Sequence, residues 1–403
     1  MTKPWNAAAA CLAATIVLAL LVLVFTERGG RLFRAAPLSS SEQPAGQPAG
    51  QPAGQPGGQP AGQPAEQPAE QVAPSTGAGG NTSTPPPPPA AAPAPASEYR
   101  IKMRFPDTSV GSDVGENSVI DLHDRGGAYD AGFVCRVFKL DDLRPAARHG
   151  QDAHVVRIEP MVSEIKGYGS AIHHMDIFAC QHTVVKEVGM LHGRVQESKW
   201  CRTDEFLDTS CRRLLWAYDR GAAAYDFPAS TGMLLGPSSG FSHFVLQLHY
   251  LLPEKFTSEM ASGGRVEPIV DSSGFELVLE SELREHDAGM FGFLDMSINV
   301  PVGQEAFRFE NHISSVELAK IVSADLLAHK ELRPFAVHLH AHDHATSVRL
   351  THYRGGKELS TYAQLVPFHG YGTDQTFVAL PESAESIKAG DSLTFECVFN
   401  STS

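Results

Sequence analysis

The sequence predicts an all-β fold, an antiparallel sandwich or barrel, for the part of the chain after residue 98. Three observations predict it. Short apolar stretches alternate with Gly/Pro/Asp/Ser turns roughly every ten residues. Long amphipathic helical patterns are scarce. The run Val337-His338-Leu339-His340-Ala341-His342-Asp343-His344 carries an imidazole at every second position, the side-chain period of a strand.

The chain has 403 residues, enough for two or three domains, with 42% hydrophobic residues and a formal charge of −14. An acidic chain without a Lys/Arg cluster is a poor nucleic-acid binder, so no nucleic-acid partner is expected. The six cysteines are Cys11, Cys135, Cys180, Cys201, Cys211 and Cys397. None forms a C-x-x-C pair, which argues against a zinc ribbon or a thioredoxin-type motif.

Residues 1–38 form a hydrophobic N-terminal segment. Ala7 to Phe25 is apolar except for Thr15. As a helix rising about 1.5 Å per residue it just spans a bilayer core. It reads as a signal-anchor or as the core of a signal peptide, giving a single-pass membrane protein if it is retained. Arg28, Arg31 and Arg34 follow it, and positive flanks normally stay cytoplasmic. Cys11 lies inside the apolar run and reads as a small hydrophobe.

Residues 39–98 are tandem Gly-Gln-Pro-Ala, then Pro85 to Pro89, then Ala/Pro. Proline removes backbone donors and almost nothing here can be buried, so a disordered, partly polyproline-like linker is expected. Asn81-Thr82-Ser83 and Asn400-Ser401-Thr402 fit the glycosylation acceptor pattern.

Beyond Tyr99 the expected strands include Ile101 to Phe105, Gly132 to Leu140, His154 to Ile158, His243 to Tyr250 and Phe275 to Leu279. A second strand-rich stretch begins near Gly274. Two motifs in the first half carry chemistry. His173-His174 lies in Ala171 to Cys180. Adjacent strand residues point to opposite faces, so the pair can share one metal only where the backbone is irregular or the strand ends. Alone, such a dipeptide is more often structural. Phe244 to Tyr250 alternates, with Val245, Gln247 and His249 on one face and Phe244, Leu246, Leu248 and Tyr250 on the other. A lone His249 is usually a satisfied sheet histidine; Gln247 beside it could orient its ring or a bound water.

In the histidine run, a strand places all four imidazoles on one face, where a His-x-His pair can converge on a metal. A helix would give i,i+4 pairs instead, and a solvated polar face is the bland alternative. The β-branched flanks, Val337 before and Thr346 to Thr351 after, favour the strand.

His173-His174-Met175 followed by Ala179-Cys180, then Leu246-Gln247-Leu248-His249-Tyr250, then Leu339-His340-Ala341-His342, in this order and spacing, resembles the copper type II, ascorbate-dependent monooxygenases. That family includes dopamine β-monooxygenase and peptidylglycine α-hydroxylating monooxygenase. Leu214 to Tyr218 and Gly232 to Gly236 are similar to the dopamine β-monooxygenase branch. The resemblance covers roughly residues 99–403, and the ordered set is far more specific than any one motif.

The resemblance implies two consecutive antiparallel jelly-roll-like sandwiches, here 99–272 and 273–403, each with one copper. It implies that His173, His174 and His249 hold an electron-transfer copper. His340 and His342 would then hold an oxygen-binding copper and be the catalytic pair. His338 and His344 become neighbours, with His338 and Gln247 candidates for supporting the ligands. His369 is a secondary candidate. Two disulfides, Cys135–Cys201 and Cys180–Cys211, are implied in the first domain. Disulfides fit an oxidising compartment, hence the secretory lumen, the cell surface or the medium. The expected partners are O2, ascorbate as reductant and a small-molecule substrate, with the two copper sites facing each other across a solvent-filled cleft.

In the second half, Ala389-Gly390-Asp391-Ser392-Leu393 resembles the family's Pro-Gly-Asp-x-Leu strand. The sequence ends at Ser403, before the Glu-Glu-Met-Cys-like segment whose methionine is the third ligand of the oxygen site in relatives. None of the nine methionines here sits in such a motif. The second sandwich is therefore expected to be incomplete: either the sequence is truncated, or Cys397 is unpaired and the second site is a bis-histidine one. Where peptidylglycine enzymes have an arginine for a substrate carboxylate this chain has His338, which disfavours a peptide with a C-terminal glycine and leaves a phenylethylamine-like or other small substrate open. The function expected is hydroxylation of a substrate C–H bond with O2 and ascorbate. The alternative is a non-enzymatic, metal-binding lumenal or cell-surface sandwich.

Overall fold

Alternating burial builds the strands. In Asp391–Phe399 every second side chain is buried, from Asp391 through Leu393, Phe395 and Cys397 to Phe399. His243–Leu251 is buried on both faces except at its last residue, as expected of an interior strand. A computed structural model describes residues 15–25, 98–106, 108–110, 130–164, 169–180, 195–197, 211, 213–252, 254–262, 269–322, 327, 331–341, 344–369 and 375–402.

In chain order the strands are β1 (Thr15–Phe25), β2 (Glu98–Arg104), β3 (Thr108–Val110), β4 (Asp130–Lys139) and β5 (Ala153–Met161). Next come β6 (Ile172–Cys180), β7 (Val195–Glu197), β8 (Arg213–Asp219), β9 (Tyr225–Asp226) and β10 (Thr231–Leu235). They are followed by β11 (His243–Leu251), β12 (Ile269–Asp271), β13 (Gly274–Glu280), β14 (His286–Ile298) and β15 (Phe307–Ile313). Then come β16 (Arg333–Ala341), β17 (Ala345–Arg354), β18 (Lys357–Leu365), β19 (Phe377–Ala379) and β20 (Asp391–Phe399). Helices are short: α1 (Leu140–Leu143), α2 (Glu254–Ala261) and α3 (Ser315–Val322). Ser314 and Glu317 cap α3 reciprocally, each backbone N–H bonding the other's side chain.

The largest sheet runs β19-β16-β1-β14-β10-β5-β13-β2, with β9 on β5. A second runs β7-β4-β11-β6-β8 and a third β15-β20-β17-β18, while β12 and β3 form a small pair. The β10–β14 pairing is parallel. The ladders around the histidines are antiparallel. The all-β, antiparallel expectation is met, and each strand named from the sequence has its counterpart.

The N-terminal segment differs from its expectation. Thr15–Phe25 is not part of a bilayer-spanning helix; it is β1, paired with β14 from Thr15↔Ile298 to Phe25↔Asp287 and with β16 from Val17↔Ala341 to Val24↔Arg333. No helix among the described residues is long and apolar enough to cross a membrane. The reason is physical: a continuous apolar run suits a buried strand as well as a helix, and periodicity cannot separate them. The β-branched Thr15, Ile16, Val17, Val22 and Val24 favour the strand, and two neighbours satisfy its backbone on both edges.

The apolar core forms two clusters. The first runs from Ile101 to Met290 and includes Ala336. The second runs from Phe291 to Phe399. They part inside β14, so β13, which follows the expected 272/273 boundary, packs in the first core. Cys180 and Cys211 form a disulfide. Cys135 is also disulfide-bonded, and its expected partner Cys201 lies outside the described residues. Cys397 is buried and free. Cys11, Asn81, the linker up to residue 97 and His342 also lie outside the described residues.

Candidate metal centre

β11 lies between β4 and β6 in the second sheet, and β8 follows β6. The β11–β6 ladder sets His249 directly opposite His174, then slips so that Tyr250 faces Ile172. His173 is the residue left over. A bulge of this kind re-aims a side chain and is frequent beside functional sites. It supplies the irregularity that an adjacent histidine pair needs in order to face one point. Tyr250, Leu248, Leu246 and Phe244 belong to the first core, as the alternation predicts.

One ligand atom from each of His173, His174 and His249 lies within 4.8 Å of the others. The Nδ1 atoms of His173 and His249 are 3.1 Å apart. Ring centres are separated by 5.3 Å for His173–His174, 5.1 Å for His173–His249 and 4.9 Å for His174–His249. His173 and His249 are buried. Asp176, two residues along β6, places Oδ2 2.9 Å from Nδ1 of His174. That contact fixes the ring and leaves Nε2 as its donor nitrogen. Gln247 is fully buried and stands opposite Asp176 in the ladder.

The second set of histidines arrives on β16. His338 and His340 are buried and share a face, because both reach Asp219 at the end of β8. His338 Nε2 is 2.9 Å from Asp219 Oδ2 and His340 Nδ1 is 2.9 Å from Asp219 Oδ1. Asp219 faces His174 across the β6–β8 ladder. Burial alone would raise its carboxyl, but the His340 and His338 imidazoles outweigh that and hold it well below the usual carboxylate range. Sequence reasoning missed Asp219. The available signal was a single carboxylate closing the apolar run Leu214 to Tyr218.

Aromatic packing fastens β16 at this position. Trp216 on β8 stacks on Phe377 of β19 at 4.0 Å. Phe377 in turn lies 4.8 Å from His338. Tyr225, Phe227 and Phe335 complete the group. Pairs of this type contribute about 0.5–1.5 kcal/mol each beyond simple burial.

Two expectations need correction. The four histidines of the run do not share a strand face. β16 ends at Ala341, and His344 is an exposed turn residue with φ 72° before β17 starts. Nor are the two histidine sets held apart by a solvent-filled cleft. The His340 ring centre is 5.8 Å from His173 and 6.2 Å from His174. The buried Asp219, opposite His174 in the β6–β8 ladder and 2.9 Å from both His338 and His340, draws them together. His369 is exposed. The Asn400 amide oxygen accepts a hydrogen bond from the Thr402 backbone N–H.

The donor chemistry can be read from these contacts. Converging imidazoles backed by two carboxylates, Asp176 and Asp219, make a cation site that suits copper or zinc. Two family models match the chain: the copper type II ascorbate-dependent monooxygenase N-terminal domain over residues 128–257 and the C-terminal domain over residues 287–403. The chain belongs to the copper type II ascorbate-dependent monooxygenase family. It is similar to human DBH-like monooxygenase protein 1, with 26% identity over 67% of this chain and 40% of the relative. It is similar to dopamine beta-hydroxylase from Canis lupus familiaris, with 26% identity over 66% of this chain and 38% of the relative. It is similar to tyramine beta-hydroxylase from Caenorhabditis briggsae, with 24% identity over 51% and 31%. The match thus spans about two fifths of the length of the first of these relatives.

Proposed function

We propose that the protein is a copper- and ascorbate-dependent monooxygenase that hydroxylates a C–H bond of a small substrate with O2. The reading rests on one observation, the convergence of His173, His174 and His249 within 4.8 Å at a strand bulge. These three residues would hold one copper, and His340 with His342 would contribute to a second. Copper held there would supply one-electron chemistry: the oxidised ion would accept ascorbate's electrons singly and the reduced ion would activate O2.

The chain's own residues bind, orient and shield. Asp176 and Asp219 orient His174 and His340. The apolar packing of Trp216 and Phe377 limits water behind β16. His338 is fully buried with Nε2 against Asp219, so it is not presented to a substrate carboxylate. That supports a phenylethylamine-like substrate over a glycine-extended peptide. The Cys180–Cys211 disulfide supports a secretory, lumenal or extracellular setting.

The test is ascorbate-dependent oxygen uptake by the copper-loaded protein with tyramine and with a glycine-extended peptide. Uptake with tyramine, coupled to hydroxylated product and abolished by His173→Ala, is expected. Full copper loading with no uptake on either substrate would leave a metal-binding protein without this activity.

A further inference from the structure

β10 and β14 run side by side only briefly. Their parallel register covers Thr231↔His286 to Met233↔Ala288. β10 then stays on β5 as far as Leu235↔Ala153, while β14 continues to Ile298. The fork between them holds a cavity of about 480 Å³, its open mouth included. Small-molecule pockets span about 300–1,000 Å³. Leu215, Met233, Phe241 and Met290 give the cavity apolar walls, and Asp287 and Arg213 are the charged groups that line it.

Asp287 is buried and only half engaged. Its Oδ1 accepts the His154 Nε2–H at 2.9 Å. His154 Nδ1 accepts the Arg284 backbone N–H at 2.9 Å, so Nε2 is the nitrogen left to donate. Gly232, paired with Asp287 in the ladder, gives the His154 ring its room, since a Cβ there would stand 2.4 Å from His154 Cβ. Asp287 Oδ2 has no hydrogen-bond partner among the described residues. Buried polar atoms are nearly always satisfied, so a firmly held carboxylate oxygen at an apolar cavity calls for a donor from outside the chain.

The cavity lies away from the histidines. Arg213 opens β8 and Asp219 closes it, which at about 3.3 Å per residue puts them about 20 Å apart.

We propose that this fork binds an apolar amino acid, with its ammonium on Asp287 Oδ2, its carboxylate on the Arg213 guanidinium and its side chain against Met233 and Met290. A guanidinium carries five N–H donors, enough to serve a carboxylate beside the contact Arg213 already makes. Charge-assisted bonds at the two polar ends fix the orientation, and the apolar walls select the side chain. The site is independent of the copper reading.

The test titrates L-leucine into the full chain by isothermal calorimetry and ligand-observed NMR, with EDTA present because free amino acids chelate copper. The control ligand, 4-methylpentanoate, has leucine's carboxylate and apolar body but no ammonium. Asp287→Asn keeps the size of the side chain and an acceptor for His154 while removing the charge. Ala288→Leu fills the cavity wall and keeps Asp287. Circular dichroism checks folding. Saturable leucine binding is expected in the wild type, with 4-methylpentanoate and both variants weaker by about 10- to 100-fold. Leucine binding unchanged in folded Asp287→Asn and Ala288→Leu, or equal binding of 4-methylpentanoate, would overturn the site. Absence of leucine binding in the wild type by both methods would leave the cavity to water and overturn it as well.

Discussion

Asp219 Oδ1 lies 2.9 Å from His340 Nδ1, and the same residue faces His174 across the β6–β8 ladder. Two histidine motifs far apart in the chain thus meet at one buried carboxylate. Asp219→Ala would leave His338 and His340 buried without their anion. Losing one member of such a group costs about 3 kcal/mol. Copper affinity should fall by about 10- to 100-fold. Denaturant titration and copper competition measure the two effects, and an unchanged affinity in the folded variant would assign Asp219 to stability alone.

Asp176 offers a milder case. Its Oδ2 holds His174 Nδ1 at 2.9 Å. Asp176→Asn should weaken copper binding about tenfold without removing the site. Competition against a chelator of known strength reads this directly.

The Cys180–Cys211 disulfide closes a loop of 31 residues from the strand that carries His173 and His174. Replacing both cysteines with alanine should cost about 3–4 kcal/mol by the loop-entropy relation. A urea midpoint unchanged by the double substitution would contradict that.

Acid sensitivity should arise first in the second core. His352 is buried, with Nε2 2.8 Å from Asp391 Oδ2 and Nδ1 2.9 Å from the Tyr362 hydroxyl. Burial pushes its imidazole below the usual 6.5, and Asp391 only partly offsets this. The folded state then binds fewer protons than the unfolded one, so this contribution is complete above about 6.5 and is lost as pH falls below it. Asp391 acts lower. Burial opposes its ionisation, but Arg354, the Lys388 N–H and His352 hold it below the usual 3.8, so its contribution goes only as pH falls through that range. His352→Gln should flatten stability against pH below about 6.5 and leave the lower loss in place, as seen in denaturant midpoints.

β1 is tested through its backbone. Leu20 pairs with Gly292 on one side and His338 on the other. Proline at an interior strand position removes a ladder donor. Leu20→Pro should lower stability by about 3 kcal/mol and expose Thr15–Phe25 to amide exchange. Unaltered stability would place these residues outside the sheet.

Much of this was legible in the sequence because strand alternation is local. Phe244 to Tyr250 announced both its core face and His249. The His173-His174 pair was legible only as a condition, since the bulge that satisfies it is set by the β11–β6 register rather than by its own residues. Asp219 was not legible because its partners come from β16, over a hundred positions away. Thr15–Phe25 misled because an apolar run encodes burial without encoding helix or strand. His344 leaves the strand face because the chain turns at φ 72°, where alternation no longer applies.

The most direct measurement is the EPR signal of the Cu(II)-loaded protein before and after anaerobic ascorbate. A retained Cu(II) signal with imidazole nitrogen coupling, lost in His173→Ala and bleached in the wild type by ascorbate, is the expected result. Copper that does not survive desalting, or a bound signal that ascorbate leaves untouched, would contradict it.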